Sequence, residues 1–242
     1  MIYEPLSPAA REDLAGRILY EDNHIIIVNK RPGEIVQGDK TGDEPLSETL
    51  KRFIAERDGK PGQVFMGVVH RLDRPVSGVT IFAKTSKALE RLSAAFREGT
   101  VHKTYYALCC AAPNPPEALL EDWLIRNEAK NISRVVPAGH PGAKLAKLRY
   151  RHLLDTDRYP LVEVELLTGR HHQMRCQLSH IGCSIKGDLK YGAPRSNPDG
   201  GICLHAGVIR LIHPVRKEEL TVTAPLPASW KGLDGFIPGA QA

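Results

Sequence analysis

The segment HRLDRPVSG at residues 70–78 places two arginines, a histidine and one aspartate around a proline. An apolar run, FMGVV (65–69), leads into this segment, and an alternating run, GVTIFAKT (78–85), leads out of it. The charged cluster therefore lies where one strand-like segment passes to the next. A cluster in such a position either stabilises the turn between the two segments or takes part in a reaction.

Asp73 at the centre of this segment allows two interpretations. In the first, Asp73 forms a surface ion-pair turn with the flanking Arg71 and Arg74, and Pro75 and Gly78 supply the backbone geometry. Alternatively, a carboxylate between two guanidinium groups stays ionised and oriented, which an acidic nucleophile requires. The segment alone does not separate the two.

Short runs rich in β-branched and aromatic residues recur along the chain and predict strands. They are RILYE (17–21), HIIIVNK (24–30), GVTIFAKT (78–85), VHKTYYALCC (101–110), DWLIRN (122–127), ISRVVPA (132–138), KLAKLRYRHLL (144–154), PLVEVELL (160–167) and ICLHAGVIRLI (202–212).

Three helices are predicted by apolar spacing and by the residues that end it. They run over 86–97 before Gly99, over 47–58 before Gly59, and over 171–181 before Gly182. Because the helices do not alternate regularly with the strands, we expect an α+β fold, with a largely antiparallel mixed β-sheet core flanked by helices and loops.

The length and composition indicate an ordinary globular chain. It has 242 residues, 42% apolar and 25% charged, and a formal net charge of +5 that favours a polyanionic partner. We expect one domain over 18–224, a loose lead-in over 1–17 and a tail over 225–242. Without a secretory signal or an apolar run of about 20 residues, a cytoplasmic protein with no membrane contact is expected.

The chain contains no dinucleotide, Walker, zincin or nucleophile-elbow motif. His172, Cys176, His180 and Cys183 share nearly one helical face. At ~1.5 Å rise per residue, however, His172 and His180 stand about 12 Å apart, too far for one zinc ion. We expect no metal. The five cysteines form no C-x-x-C pair, which favours reduced thiols.

Two further polar segments lie at predicted element boundaries. LLTGRHHQMRCQLSHIG (166–182) places Arg170 at a strand-to-helix junction, with Gln173 and Arg175 on the first helical turn. An exposed basic helix face is the alternative interpretation. In the strand HKTYYALCC (102–110), Tyr105 and Tyr106 point to opposite faces of the sheet.

Taken together and in this order, four segments resemble the motifs of the RluA-type family of RNA pseudouridine synthases. They are VNKRPGEIV (28–36), HRLDRPVSGV (70–79), KTYYAL (103–108) and LLTGRHHQMR…GCSIKGDLKYG (166–192). The resemblance covers roughly residues 18–224 and implies the pseudouridine synthase fold. The chain departs from the usual pattern at Arg31, His171, Met174 and Ser184, which puts the identity of the substrate in question more than the chemistry.

The resemblance implies an isomerase that needs no cofactor. Asp73 is implied to be the essential carboxylate, acting on the ribose of a flipped-out uridine as nucleophile or as base. We place Arg170 against Asp73 as its orienting partner, with Arg175 as the less favoured choice. Tyr105 is implied to stack on the target uracil.

The implied partner is structured RNA, either tRNA or rRNA, bound by a monomer. Because residues 1–17 are too short for the additional RNA-binding domain of some relatives, the catalytic domain is expected to bind the RNA itself. Arg71 is implied to brace the gap left by the flipped uridine. The remaining implied substrate-binding residues are His70, Leu72, Arg74, His172, Gln173 and Arg175.

Several basic residues are candidates for phosphate contacts, although each alone fits a solvated surface charge. They are Lys84, Lys87, Arg91, Lys103, Arg126, Lys130 and Arg134. Two alternative functions stay open: an RNA-binding or ribosome-assembly protein without turnover and, more distantly, a glycoside hydrolase. The latter usually needs two paired acids.

Overall fold

Alternating apolar segments form one eleven-stranded sheet in the computed structural model, which describes residues 3–240. The strands are β1 (Ile18–Glu21), β2 (Ile25–Lys30), β3 (Gly67–Val68), β4 (Ser77–Ala83), β5 (His102–Leu108), β6 (Glu117–Asn127), β7 (Ile132–Val136), β8 (Lys144–Asp155), β9 (Pro160–Leu166), β10 (Leu204–Ile212) and β11 (Glu219–Thr223). The helices are α1 (Pro8–Ala15), α2 (Leu46–Arg57), α3 (Ser86–Glu98) and α4 (Gln173–His180), with a 3-10 turn at Leu189–Tyr191.

The strand order across the sheet is β1-β2-β4-β10-β5-β9-β8-β6-β7, with β11 paired to β10 and β3 paired to β4. Every pairing between these strands is antiparallel except that of β4 with β10. The predicted α+β fold with a largely antiparallel mixed sheet is confirmed. The parallel pair joins the first half of the chain to the second in the middle of the sheet.

The neighbouring strands β2 and β4 are buried on both faces. On one face, Ile26 and Phe82 pack in a core cluster with Phe53 of α2. On the other face, Ile27 and Ile81 pack with Leu92 of α3. Full burial of each such side chain stabilises the fold by about 1.5–3 kcal/mol. Two helices on opposite faces therefore fix the strand that leads away from residues 70–76.

The parallel pair depends on Gly78. Its φ is +114°, and a Cβ built at this position would lie 2.3 Å from the carbonyl oxygen of Ala206 on β10. Next to it, Ser77 Oγ lies 2.8 Å from His205 Nδ1, and both residues are buried. The backbones approach so closely that a side chain at position 78 has no room.

All nine strand predictions are confirmed, and α3 begins at Ser86, where the predicted range begins, whereas the other two predicted helices begin at different residues. Thr85 caps α3, Gly99 ends it in the left-handed conformation, and α2 begins one residue early, at Leu46. Helix α4 begins at Gln173 because His172 adopts a left-handed conformation, with φ +52°. Strand β3 lies within the strand-like apolar run 65–69, whereas β11 was not predicted.

The expectation of a loose lead-in is wrong for the part of it that forms α1. Ser7 caps this helix by accepting a hydrogen bond from the Ala10 N–H, and Leu14 is buried. In the tail, Trp230 is buried and the Gly239 N–H donates to Tyr106 Oη at 2.8 Å. Residues 1, 2, 241 and 242, which those predictions include, lie outside the described residues. None of the helices within 3–240 has the length and apolarity that a membrane span requires.

We expect Gly78→Ala to lower the free energy of unfolding by at least about 3 kcal/mol, because it adds a clash with backbone to a positive φ. Urea unfolding measures this loss. Gly139→Ala is the matched control, since Gly139 has φ +83° with no atom within 4 Å of a built Cβ. It should cost only about 1–2 kcal/mol. Equal losses in the two variants would contradict the close approach.

Candidate active site

The loop that connects β3 to β4 (residues 69–76, the Asp73 loop) is held by hydrogen bonds from Lys30, at the end of β2. This side chain is fully buried, and its Nζ donates to the carbonyl oxygens of Arg31 (2.9 Å), Arg74 (3.1 Å) and Val76 (2.7 Å). Burial lowers the pKa of Lys30 to about 8, against the opposing effects of Glu34 and Asp73. The end of β2 therefore determines the path of the loop.

His70 and Leu72 hold the same loop against the sheet. His70 Nε2 accepts a hydrogen bond from the Ile81 N–H at 3.1 Å, and its ring stacks on Phe96 with the centroids 4.8 Å apart. Burial lowers the pKa of His70 to about 3, so the imidazole is neutral at pH 7. The Leu72 side chain is buried in the core. Both residues were predicted to bind substrate, and both also have these structural contacts.

Asp73 lies at the outer end of the loop, with its side chain 33% exposed. Its Oδ2 is 3.1 Å from Arg175 Nη1 and 3.5 Å from His172 Nε2. The prediction that Arg170 pairs with Asp73 is wrong. Arg170 precedes the helix and its Nε donates to the Leu145 carbonyl oxygen at 2.8 Å, whereas Arg175 lies inside α4 with its side chain buried.

Arg175 is held by a second carboxylate. Its Nε and Nη2 donate to the two oxygens of Asp188 at 2.6 and 2.8 Å, and Asp188 is 1% exposed. The guanidinium carbon lies 5.1 Å from the centroid of the Tyr191 ring. Burial acts to lower the pKa of Arg175, but Asp188 and Asp73 raise it overall. Arg175 is thus a fixed cation shared by two carboxylates.

His172 occupies the position before α4 in a group of aromatic rings. Its Nδ1 is 3.0 Å from Tyr191 Oη, and its ring stacks on His171 with the centroids 3.8 Å apart. His171 in turn contacts Ser133 Oγ at 2.9 Å and Asn131 Oδ1 at 3.1 Å. Burial and then Arg175 lower the pKa of His172 to about 2, and burial and then Arg126 lower that of His171.

Gln173 was predicted to bind substrate, but its amide organises the turn into α4. Its Oε1 accepts hydrogen bonds from Thr168 Oγ1 (2.8 Å) and the Arg170 N–H (3.0 Å). Its Nε2 donates to the Lys147 carbonyl oxygen at 3.0 Å. The Gln173 side chain therefore fixes the distance between the end of β9 and the helix.

Tyr105 and Tyr106 point to opposite faces of the sheet, as predicted. Tyr105 packs in the same core cluster as Leu72, whereas Tyr106 packs with Trp230. Tyr105 is buried, and burial together with Asp73 raises its pKa above the ordinary value of a phenol. Its phenol is therefore neutral at pH 7.

A cleft of about 1240 Å³ brings these elements together, with Asp73, Tyr105 and Arg170 in its lining. Several cations line it as well: Arg71, Arg97, Lys103, Arg126 and Lys190. Arg74, predicted to bind substrate, also lines the cleft, and its guanidinium donates to Asp43 Oδ2 at 2.6 Å and Thr41 Oγ1 at 2.7 Å. Within the described residues, no group of three potential metal ligands is placed to hold an ion.

The candidates for phosphate contacts divide into two sets. Lys103 and Arg126 lie in the cleft lining. The Lys84 ammonium instead contacts Glu21 at 2.5 Å, and Arg91 Nη1 donates to the Pro214 carbonyl oxygen at 2.8 Å. The described lining does not include Lys87, Lys130 or Arg134.

Residues 24–180 match a family model described as RNA pseudouridylate synthase. The chain belongs to the RNA pseudouridylate synthase family. It is 34% identical to a ribosomal large subunit pseudouridine synthase C of Vibrio cholerae, over 93% of this chain and 71% of the relative. It is 30% identical to a tRNA pseudouridine synthase C of Vibrio parahaemolyticus, over 89% of this chain and 92% of the relative.

Solved structures of pseudouridylate synthases have the same fold. Human RNA pseudouridylate synthase domain containing 4 superposes with a TM-score of 0.76 at 24% identity, covering 91% of this chain and 92% of that one. Human RNA pseudouridylate synthase domain containing 1 gives 0.69 at 25% identity, covering 93% and 87%. The protein is an RNA pseudouridine synthase, an isomerase, and the RluA-type resemblance is confirmed.

Three residues of this pseudouridine synthase site were not singled out from the sequence. Lys30, Asp188 and Tyr191 all lie within the quoted motifs, but each was treated as part of a pattern. A lysine at the end of an apolar strand and an aspartate after a glycine were the available signals. Neither signal indicates which distant group the side chain contacts.

We expect Arg175→Lys to lower kcat about 10²-fold, because an ammonium cannot donate in one plane to Asp188 and also reach Asp73. Release of tritium from C5 of labelled uridine in RNA measures the rate. Arg170→Lys is the matched control. It should lower kcat less than about fivefold, which corresponds to the loss of one hydrogen bond to a backbone carbonyl. A larger loss at Arg170 than at Arg175 would overturn the pairing described here.

The lowered pKa of Lys30 predicts a pH dependence of stability. The folded pKa of about 8 lies below that of a free lysine, so the unfolded chain binds more protons between these values and stability rises with pH. From pH 7.5 to 9.5 we expect wild type to gain roughly 2 kcal/mol relative to Lys30→Met. Urea unfolding at both pH values tests this. Parallel behaviour of the two proteins would refute it, and NMR titration of the Lys30 Nζ checks the pKa directly.

Proposed function

We propose that this enzyme converts specific uridines in structured tRNA or rRNA to pseudouridine, with Asp73 acting on the ribose of a flipped-out uridine. The observation that carries the proposal is the position of Asp73. It is a partly exposed carboxylate in a cation-lined cleft, bound on one oxygen by the buried Arg175 and with Tyr105 in the same lining.

The choice of RNA as substrate rests on the family and on charge. Relatives with comparable identity are named for the large ribosomal subunit and for tRNA, so both RNA classes are proposed. The cations Arg71, Lys103 and Arg126 line the cleft. Such side chains neutralise phosphates, which supplies affinity without selecting a sequence.

The reaction moves the uracil from N1 to C5 on the same ribose. The N1–C1′ bond breaks, the base turns within the site, a C5–C1′ bond forms, and C5 loses its proton. Asp73 assists either by attacking C1′ to form an ester or by removing a ribose proton to give a glycal. In both routes one oxygen of the carboxylate must face the ribose while the other is held.

Reaching this carboxylate requires the uridine to leave its stack, at a cost of a few kcal/mol. Tyr105, buried beside the Asp73 loop, offers a ring on which the uracil stacks during its turn. Arg71 is exposed in the cleft lining, and its planar guanidinium is suited to stack in the gap that the uridine leaves. The neutral phenol of Tyr105 carries a hydrogen that it can donate to a bound substrate.

We expect Asp73→Ala to abolish measurable tritium release from C5, because it removes the carboxylate, and Asp73→Glu to lower the rate at least about 10²-fold, because it displaces the carboxylate by about 1 Å. The substrates are C5-tritiated tRNA and rRNA prepared from cells lacking this gene. Asp157→Ala, which removes an exposed aspartate from a turn outside the cleft lining, is the control and should retain full activity.

Two results would reject the proposal. One is failure of the wild-type protein to release tritium from either RNA class. The other is near-normal turnover by Asp73→Ala, which would remove the carboxylate from the mechanism. Appearance of free uracil would indicate hydrolysis in place of isomerisation.

A further inference from the structure

The hydrogen bonds around Tyr191 determine which nitrogen of His172 bears a proton. The Ser133 N–H donates to Tyr191 Oη at 2.7 Å, and Tyr191 Oη lies 3.0 Å from His172 Nδ1. Burial raises the pKa of Tyr191 to about 12, so its phenol keeps its one hydrogen at pH 7. Within residues 3–240 that hydrogen has one acceptor, His172 Nδ1.

With Nδ1 accepting, the neutral imidazole carries its hydrogen on Nε2. His172 Nε2 is the nitrogen that lies 3.5 Å from Asp73 Oδ2. The opposite tautomer would direct a lone pair at the carboxylate and leave the Tyr191 hydroxyl without an acceptor. Both defects are costly in a buried site, so the network selects the Nε2–H form.

The backbone at His172 is held in an unfavourable conformation. Its φ of +52° lies in the left-handed region, which costs a residue other than glycine roughly 1–2 kcal/mol. The residue is 8% exposed, and its ring is fixed between His171 and Tyr191. Strain at a buried polar residue beside a reactive group is typical of positions where the side chain is required.

The two oxygens of Asp73 have different surroundings. Every hydrogen bond or ion pair of this carboxylate within the described residues involves Oδ2, which meets both Arg175 and His172. Oδ1 is left for the cleft. Arg175 already donates to Oδ2, and a second donor on the same oxygen would fix the rotation of the carboxylate, which a single donor does not.

We propose that His172 is a positioning residue whose Nε2–H, oriented by the Tyr191 hydroxyl, donates to Asp73 Oδ2 so that Oδ1 faces the ribose. This rests on the proposed function of Asp73. The proposal requires the 3.5 Å separation to shorten when substrate is bound, as hydrogen bonds in resting active sites commonly do. The Tyr191–His172 pair thereby acts on the rate of reaction and leaves RNA binding unchanged.

The first test is the tautomer of His172 in the wild-type protein. Long-range ¹⁵N–¹H NMR of histidine-labelled enzyme at pH 7, with His172→Gln to assign the signal, should show hydrogen on Nε2 and none on Nδ1. This measurement does not depend on turnover. Hydrogen on Nδ1, or on both nitrogens, would overturn the proposal.

The second test is a double-mutant cycle in the tritium-release assay. Tyr191→Phe keeps the ring that contacts Arg175 but removes the hydroxyl, and should lower kcat about tenfold with KM within twofold. In the His172→Gln background the side-chain amide donates a hydrogen bond without depending on a tautomer. There Tyr191→Phe should lower kcat less than twofold. Tyr150→Phe, which removes a buried hydroxyl bound to the Pro115 carbonyl oxygen, is the control and should leave kcat unchanged.

The outcomes separate this proposal from the proposed function. If Asp73→Ala is inactive while Tyr191→Phe costs the same in both backgrounds, the hydroxyl has only a structural role and the positioning proposal fails. If Tyr191→Phe raises KM and leaves kcat unchanged, the pair binds RNA and the proposal also fails. Activity of Asp73→Ala would reject the proposed function itself.

Discussion

The arrangement of this enzyme depends on one guanidinium shared between two carboxylates. Arg175 is buried, so its charge must be paired, and Asp188 satisfies two of its donors in a single plane. The plane of the guanidinium is then fixed, and its Nη1 donates to Asp73 Oδ2. Arg175 and Asp188 come from the second half of the chain and Asp73 from the first. The position of the proposed catalytic carboxylate therefore depends on how the two halves of the sheet meet.

Charge is distributed unevenly in the cleft. Close to Asp73, burial and Arg175 keep His172 neutral, and burial and Asp73 keep Tyr105 neutral, so both present uncharged hydrogen-bonding groups. The solvent-facing cations Arg71 and Lys190 belong to the same lining but have no partner in an ion pair among residues 3–240. Such a division suits a polyanion whose phosphates meet the edge of the cleft while a single uncharged base enters it. Fixed neutral dipoles near the reacting carbon also need no reorganisation during the reaction.

Much of the fold was predictable because alternating apolar residues mark strands whichever partner they pair with. Helix α1 was missed because Leu14 is its one buried residue, and β11 because it is a short, mostly exposed strand. Asp73 and Tyr105 followed from the motifs, but the choice between Arg170 and Arg175 did not. Both arginines flank one turn, and the left-handed conformation of His172 moves the helix start to Gln173. Sequence spacing does not reveal that shift, so it could not indicate which guanidinium points inward.

The parallel pair β4–β10 has a consequence for the order of events during synthesis. Ser77 and His205 lie 128 positions apart in the chain, and their contact closes the centre of the sheet. A nascent polypeptide lacks that contact until β10 has left the ribosome, because long-range pairing needs both partners present. Before then the start of β4, which follows the Asp73 loop directly, lacks the Ser77–His205 contact and the parallel pairing with β10. The middle of the sheet is therefore completed only when two segments far apart in the chain have met.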